Sequence, residues 1–216
     1  IETLGEDIAE FAAALDLKGA TALGWSMGAM ALWSAAGALG DRLEALIVEE
    51  MAPRLTNDAD WGFGLGGGYS EADIAGSLEE MQADWPAYVT RFAPRMFAPA
   101  ARGEKPNLIE WARVEMSKAD PSAMASFWNS MARQDFRARL PLITAPMLVL
   151  HGAQSQIYQD GATAFVAQAA PNGAHVIIPG AGHVPHLEAP DAFFQQIEAF
   201  ARTTRRPEMR SGGAVP

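Results

Sequence analysis

Residues 21–28 read Thr21-Ala22-Leu23-Gly24-Trp25-Ser26-Met27-Gly28, and these eight residues decide the fold class. The run 21–25 is short and apolar and predicts a buried strand, whereas the small and apolar residues of 29–39 predict a helix able to pack tightly on a sheet. Ser26 therefore sits on a strand-to-helix corner, inside the pattern G-x-S-x-G. A side chain on such a turn is pushed out of the sheet, and the flanking glycines avoid collision with the chain around them. The Met27 amide falls at a helix N-terminus, where it can donate to a developing oxyanion. A plain tight turn could carry the same string. The strand-to-helix context favours Ser26 as a nucleophile and the Met27 N–H as half of an oxyanion hole.

Outward from this corner the alternation continues. Ile1, Leu4, Ile8, Phe11 and Leu15 recur at three- and four-residue steps, with Glu2, Glu6, Asp7 and Glu10 between them, which predicts an amphipathic helix ending near Gly19. Residues 43–48 form an apolar strand that runs into Glu49-Glu50-Met51-Ala52-Pro53. Helix, strand, helix, strand is the order of a parallel α/β sheet. The pattern then breaks: 57–140 contains no convincing strand, but a glycine-rich stretch at 62–68, helical segments at 71–91, 108–118 and 122–137, and four of the six tryptophans. Alternation resumes with strands at 147–150 and 175–178 and helices at 162–169 and 190–201.

The division expected from this is a first core segment at 1–56, a helical insertion at 57–140, a second core segment at 141–203 and a disordered tail at 204–216. Met81, Trp85, Tyr88, Phe92, Met96 and Phe97 recur at near-helical spacing, as do Trp111, Val114 and Met116. Such side chains either pack the insertion onto the core or line an apolar acyl pocket. The run 133–139, with three arginines, reads as a solvated helix end and not as an anion site.

A serine nucleophile needs a base, and the chain has four histidines, His151, His175, His183 and His186. His183 stands in Gly180-Ala181-Gly182-His183-Val184-Pro185-His186-Leu187-Glu188-Ala189-Pro190, a loop after a strand and before the last helix. From there a neutral imidazole can reach over the sheet edge and accept the hydroxyl proton. His186 is one turn further and is expected to face elsewhere. His151, at a strand end before Gly152, is expected to be a structural hydrogen-bonder, and His175 to begin a strand at the surface.

The corner 24–28, the block Leu148-Val149-Leu150-His151-Gly152 and the segment 180–190 occur in the order and spacing of the α/β-hydrolase superfamily, which the chain resembles over roughly 1–202. The resemblance implies that the 57–140 insertion is the variable cap, and that a serine at position 26 goes with acyl-transfer members of the family. It also implies an acid to orient His183. The position where the family commonly has aspartate carries Ser155, which cannot hold the charge. Other members place the acid after the strand before the cap, which selects Glu50, with Glu49 and Asp160 as alternatives. Several strands precede the opening helix in that superfamily, among them the source of the second oxyanion donor. The resemblance thus implies a chain truncated at its N-terminus by roughly 70–80 residues.

Composition narrows the classes. A balance of 16 basic against 26 acidic residues argues against nucleic-acid binding. The absence of cysteine removes disulfides, a thiolate nucleophile and zinc–sulfur sites. No apolar run reaches a membrane-spanning length, and an acidic pI of about 4.8 suits a cytoplasmic protein. The expected function is a serine hydrolase that cleaves a small, apolar carboxylester or lactone through an acyl-enzyme, with no metal or cofactor. The alternatives are a C–C hydrolase or cofactor-free perhydrolase with the same three residues, or a non-catalytic ligand-binding protein of the same fold.

Overall fold

The computed structural model describes residues 1–204. Its helices are α1 (Glu2–Ala14), α2 (Met27–Leu39), α3 (Glu71–Ala83), α4 (Trp85–Phe92), α5 (Ala101–Glu104), α6 (Pro106–Ser117), α7 (Pro121–Ala132), α8 (Asp160–Ala169), α9 (Pro185–Glu188) and α10 (Pro190–Thr204). Four strands, β1 (Ala20–Trp25), β2 (Leu43–Glu49), β3 (Met147–Gly152) and β4 (Gly173–Ile178), pair in parallel in the order β1-β2-β3-β4. Trp25 lies opposite Glu49, and Glu49 opposite Leu150, so β1 and β2 end at one level and β3 runs two residues beyond it. The α/β class with a mostly parallel sheet is what the alternation predicts. The tail expected from 204 onward lies outside the described residues, apart from Thr204, which ends α10.

The central strands are buried on both faces because they carry unbroken apolar runs at 45–48 and 147–150, as parallel strands covered by helices require. Leu46, Val48, Met147 and Val149 pack with α2 and α8, while Ile47, Leu148 and Leu150 pack with Phe193 of α10 on the other face. This is the two-residue period of a strand at work. α1 lies against α2, and a Cβ at Gly5 would meet Ser34 at 2.8 Å. β1 is less buried than its composition predicts: it is the edge strand of this sheet, and Leu23 is 45% exposed. Among the described residues no helix is long and apolar enough to cross a membrane.

Between β2 and β3 the described residues form helices and no strand of the sheet. The single helix expected over 71–91 is two. Asp84 accepts from the Ala87 amide at 2.9 Å, and Pro86, lacking an N–H, starts a new helix there. Ser70 and Asp73 form a reciprocal capping box at the head of α3, and Asp120, accepting from the Ala123 amide at 2.8 Å, opens α7 ahead of Pro121. The helix expected over 122–137 stops at Ala132, where Asp135 turns to bridge Arg54. Arg133 pairs with Glu71, and Arg137 with Asp135 and Asp58. Trp111 and Val114 do not pack inward; they are 51% and 41% exposed on α6.

The two glycines of the corner differ in what they do. A Cβ at Gly24 would lie 2.6 Å from the Ala29 amide nitrogen, whereas one at Gly28 meets nothing within 4 Å. The expectation that both glycines relieve collision thus holds for Gly24 alone. Gly24→Ala should destabilise by about 1–3 kcal/mol through backbone displacement. Gly28→Ala, inside α2, should be neutral or stabilising by up to about 1 kcal/mol. Chemical denaturation of the two variants checks the contrast.

Candidate active site

Ser26 joins β1 to α2 with φ 50° and ψ −122°, a left-handed conformation that a non-glycine residue adopts at a cost of about 1–3 kcal/mol. The surroundings hold it there. Its amide donates to the Glu49 carbonyl at 2.9 Å, and its own carbonyl accepts from the Ala29 amide at 2.9 Å. Met27 is the first residue of α2, so its amide is one of the N-terminal groups without an intrahelical acceptor. The Ser26 side chain points at His183, whose Nε2 lies 3.1 Å from Ser26 Oγ.

His183 is fixed from several directions. Its amide donates to the Met96 carbonyl at 2.7 Å, and its carbonyl accepts from Trp25 Nε1 at 2.8 Å. The buried carboxylate of Glu188 accepts from the Gly182 amide at 2.6 Å and from the Ala98 amide at 2.8 Å. That one side chain ties the histidine loop to the segment after α4. Burial pushes its carboxyl up despite the two amides that favour its charge. Close backbone approach also shapes the loop: a Cβ at Gly152 would sit 1.9 Å from the Gly182 carbonyl oxygen, and one at Gly182 2.5 Å from the Ala98 nitrogen.

Glu50 follows β2, with φ 53° and no exposed surface. Oε1 accepts from the Gly152 amide at 2.6 Å. Oε2 accepts from Ser155 Oγ at 2.9 Å and lies 3.3 Å from His183 Nδ1. A second imidazole reaches the same carboxylate, with His151 Nδ1 2.7 Å from Oε1, close but out of line for a hydrogen bond. Burial alone would push the Glu50 carboxyl up. His151 and His183 outweigh it and bring the group down to about 2.

The other sequence candidates lie elsewhere. Glu49 is buried but pairs with His186, whose Nδ1 is 2.8 Å away, and Asp160 lies 3.6 Å from His175 Nε2. Arg54 turns away from Glu50 to Asp58 and Asp135. His175 stands within β4, with Thr163 Oγ1 3.0 Å from its Nε2, two residues after the strand begins. Ser155 carries no charge, yet it is hydrogen-bonded to Glu50. The sequence gives no signal for that contact or for the approach of His151, since both depend on how β2 and β3 align.

Above Ser26 and His183 lies a cavity of about 300 Å³. Met81, Trp85, Tyr88, Phe92 and Met96 line it, and so does Met116, whereas Phe97 packs below with Ala101 and Val184. α7 supplies Met124, Phe127, Trp128 and Met131 to the same wall. The i, i+3, i+4, i+7 spacing of those four was the signal that could have found them. Among the described residues no group of acidic, histidine or cysteine side chains has the arrangement of a metal site.

The chain matches the model of the alpha/beta hydrolase family over residues 2–196. It is 27% identical over 181 residues to a pimeloyl-acyl-carrier-protein methyl ester esterase of Nitrosospira multiformis, covering 83% of this chain and 67% of that one. Among solved structures, a thermophilic esterase from Thermogutta terrifontis, with malate bound, superposes with a TM-score of 0.81 and 25% identity, over 95% of this chain and 73% of that one. A bromoperoxidase from Bacillus anthracis shares the fold, with a TM-score of 0.83 and 21% identity over 92% and 72%.

The depressed Glu50 carboxyl sets a pH dependence of stability. A carboxyl at about 2 in the fold against 4.5 when unfolded contributes fully above pH 4.5. That contribution, roughly 3 kcal/mol, is lost as pH falls from 4.5 toward 2. Unfolding free energies of the wild type and Glu50→Gln should therefore differ most near neutrality and converge toward pH 2.

Proposed function

The chain belongs to the α/β hydrolase family, and we propose that it is a serine esterase that cleaves a small apolar carboxylester or lactone through an acyl-enzyme. The observation that carries this reading is the 3.1 Å contact of His183 Nε2 with the strained Ser26, backed by a buried, ionised Glu50 under an apolar cavity. Ser26 Oγ attacks the carbonyl carbon, and its proton passes to His183 Nε2. The carbonyl oxygen gains the charge, and the Met27 amide faces it. Collapse of the tetrahedral species breaks the bond to the leaving alkoxide, which takes the proton from His183. Water then attacks the acyl-Ser26 ester with His183 as base, and the acid departs. Glu50 keeps the His183 proton on Nδ1 and offsets the imidazolium charge. The mechanism calls for no metal and no cofactor.

The helical insertion at 57–140 acts in this reading as a cap. α3, α4, α6 and α7 supply most of the cavity wall, and their methionine and aromatic side chains suit an acyl chain that must be desolvated and shaped. A cavity of about 300 Å³ lies at the lower end of the range for small-molecule sites, in keeping with a small acyl group. The curated esterase relative acts on a methyl ester, as its name states, which agrees with an ester carbonyl at Ser26.

Hydrolysis of p-nitrophenyl esters of increasing acyl length tests the reading. Turnover should fall off for long acyl chains, which outgrow the cavity, and vanish in Ser26→Ala and His183→Ala. Glu50→Gln should fall by about 10⁴, as when an orienting carboxylate is lost. Full activity of Ser26→Ala would overturn the assignment.

A further inference from the structure

One buried titratable side chain has no part in the mechanism above. His151, at the end of β3, is 3% exposed, and its Nδ1 finds no aligned hydrogen-bond acceptor among the described residues. What that nitrogen faces is Glu50 Oε1, at 2.7 Å. The carboxylate is thus held between two imidazoles, with His183 Nδ1 3.3 Å from the other oxygen. A bare lone pair on Nδ1 would repel a carboxylate at that range, so Nδ1 carries the ring proton, whose partial positive charge acts on Glu50 although the N–H is out of line for a hydrogen bond. The His151 contact is also the shorter by about half an ångström.

We infer that His151 is a positioning residue: it competes with His183 for the charge of Glu50 and so sets how basic His183 is. The inference rests on the esterase reading for its catalytic consequence, but the coupling of the two imidazoles through Glu50 is independent of any substrate. Where a carboxylate is fully available to an imidazole, the imidazolium is favoured and the base is tied up by its proton at higher pH. The partial positive charge of a second N–H beside the carboxylate offsets part of that charge. The pull of Glu50 on His183 is then weaker than that of an unshared carboxylate.

The neighbours of both rings bear on the sign. His183 is faced by Glu50 from the end of β2, Ser26 from the head of α2 and Tyr158 from the segment before α8. Glu188 holds its loop through the Gly182 amide, and His186, paired with Glu49, lies across Trp25. His151 is faced by Glu50 and by His175 of β4, with Asp160 of α8 behind His175. Among the described residues Glu50 is the group in polar contact with both rings, so removing the His151 N–H acts on His183 through it.

The test compares wild type with His151→Asn, which keeps an N–H near the Nδ1 position, and with His151→Leu and His151→Val, which remove it. Two readouts are taken on each folded variant: the pH profile of kcat/KM for a p-nitrophenyl ester, and the His183 imidazole titration followed by NMR. In the Leu or Val variant both the acid limb and the His183 midpoint should move to higher pH by about one unit, with KM unchanged. His151→Asn should stay near wild type. An unmoved His183 midpoint in either apolar variant overturns the inference, as does an equal shift in His151→Asn. A shifted midpoint in a protein without esterase activity would uphold the coupling and reject the esterase reading.

Discussion

A carboxylate with no exposed surface is held ionised at the end of β2, and the rest of the candidate site is arranged around that charge. An unpaired buried charge costs several kcal/mol, so Glu50 can persist only if its oxygens are met from all sides. The Gly152 amide, Ser155, His151 and His183 meet them. His151 and Gly152 end β3, and Ser155 and His183 come from the segments that follow β3 and β4. The sheet register that places Glu49 opposite Leu150 is therefore also what delivers the donors. Any slip of β3 against β2 would leave the carboxylate uncompensated, which makes the charge a constraint on the fold as well as on the chemistry.

Ser26 and the His183 loop are fitted to the same edge. The positive φ of Ser26 and of Glu50 lets each side chain leave its strand end abruptly, one toward the cavity and the other beneath the imidazole. The strain is offset by close packing, visible where Gly24, Gly152 and Gly182 leave no space for a Cβ. Glu188 adds a link between the histidine loop and the segment after α4. A movement of the helical insertion is thereby coupled mechanically to the base.

The alternation of apolar strands and helices was legible in the sequence because a parallel sheet imposes it, and the strand-to-helix context of G-x-S-x-G located the corner. Of the residues named from the sequence, His183 lies 3.1 Å from Ser26 and 3.3 Å from Glu50, one on each side of its ring. Glu50 could be preferred to Glu49 only through a family resemblance, since both are acidic and adjacent. The structure separates them physically: Glu49 is the last residue of the ladder and turns to His186, and Glu50 has left the ladder at positive φ. What the sequence could not convey was contact across strands. His151 and Ser155 read as a bland strand end and an uncharged loop residue until β3 is set beside β2. Trp111 and Val114 misled for the opposite reason, as apolar residues at helical spacing that face outward on α6.

The central claim is that a single serine is activated by this arrangement. Incubation of the chain with a fluorophosphonate probe, followed by peptide mass spectrometry, tests it most directly. The account predicts one covalent adduct, on Ser26, whose formation requires His183. A folded chain that forms no adduct, or forms one on another serine, would contradict it.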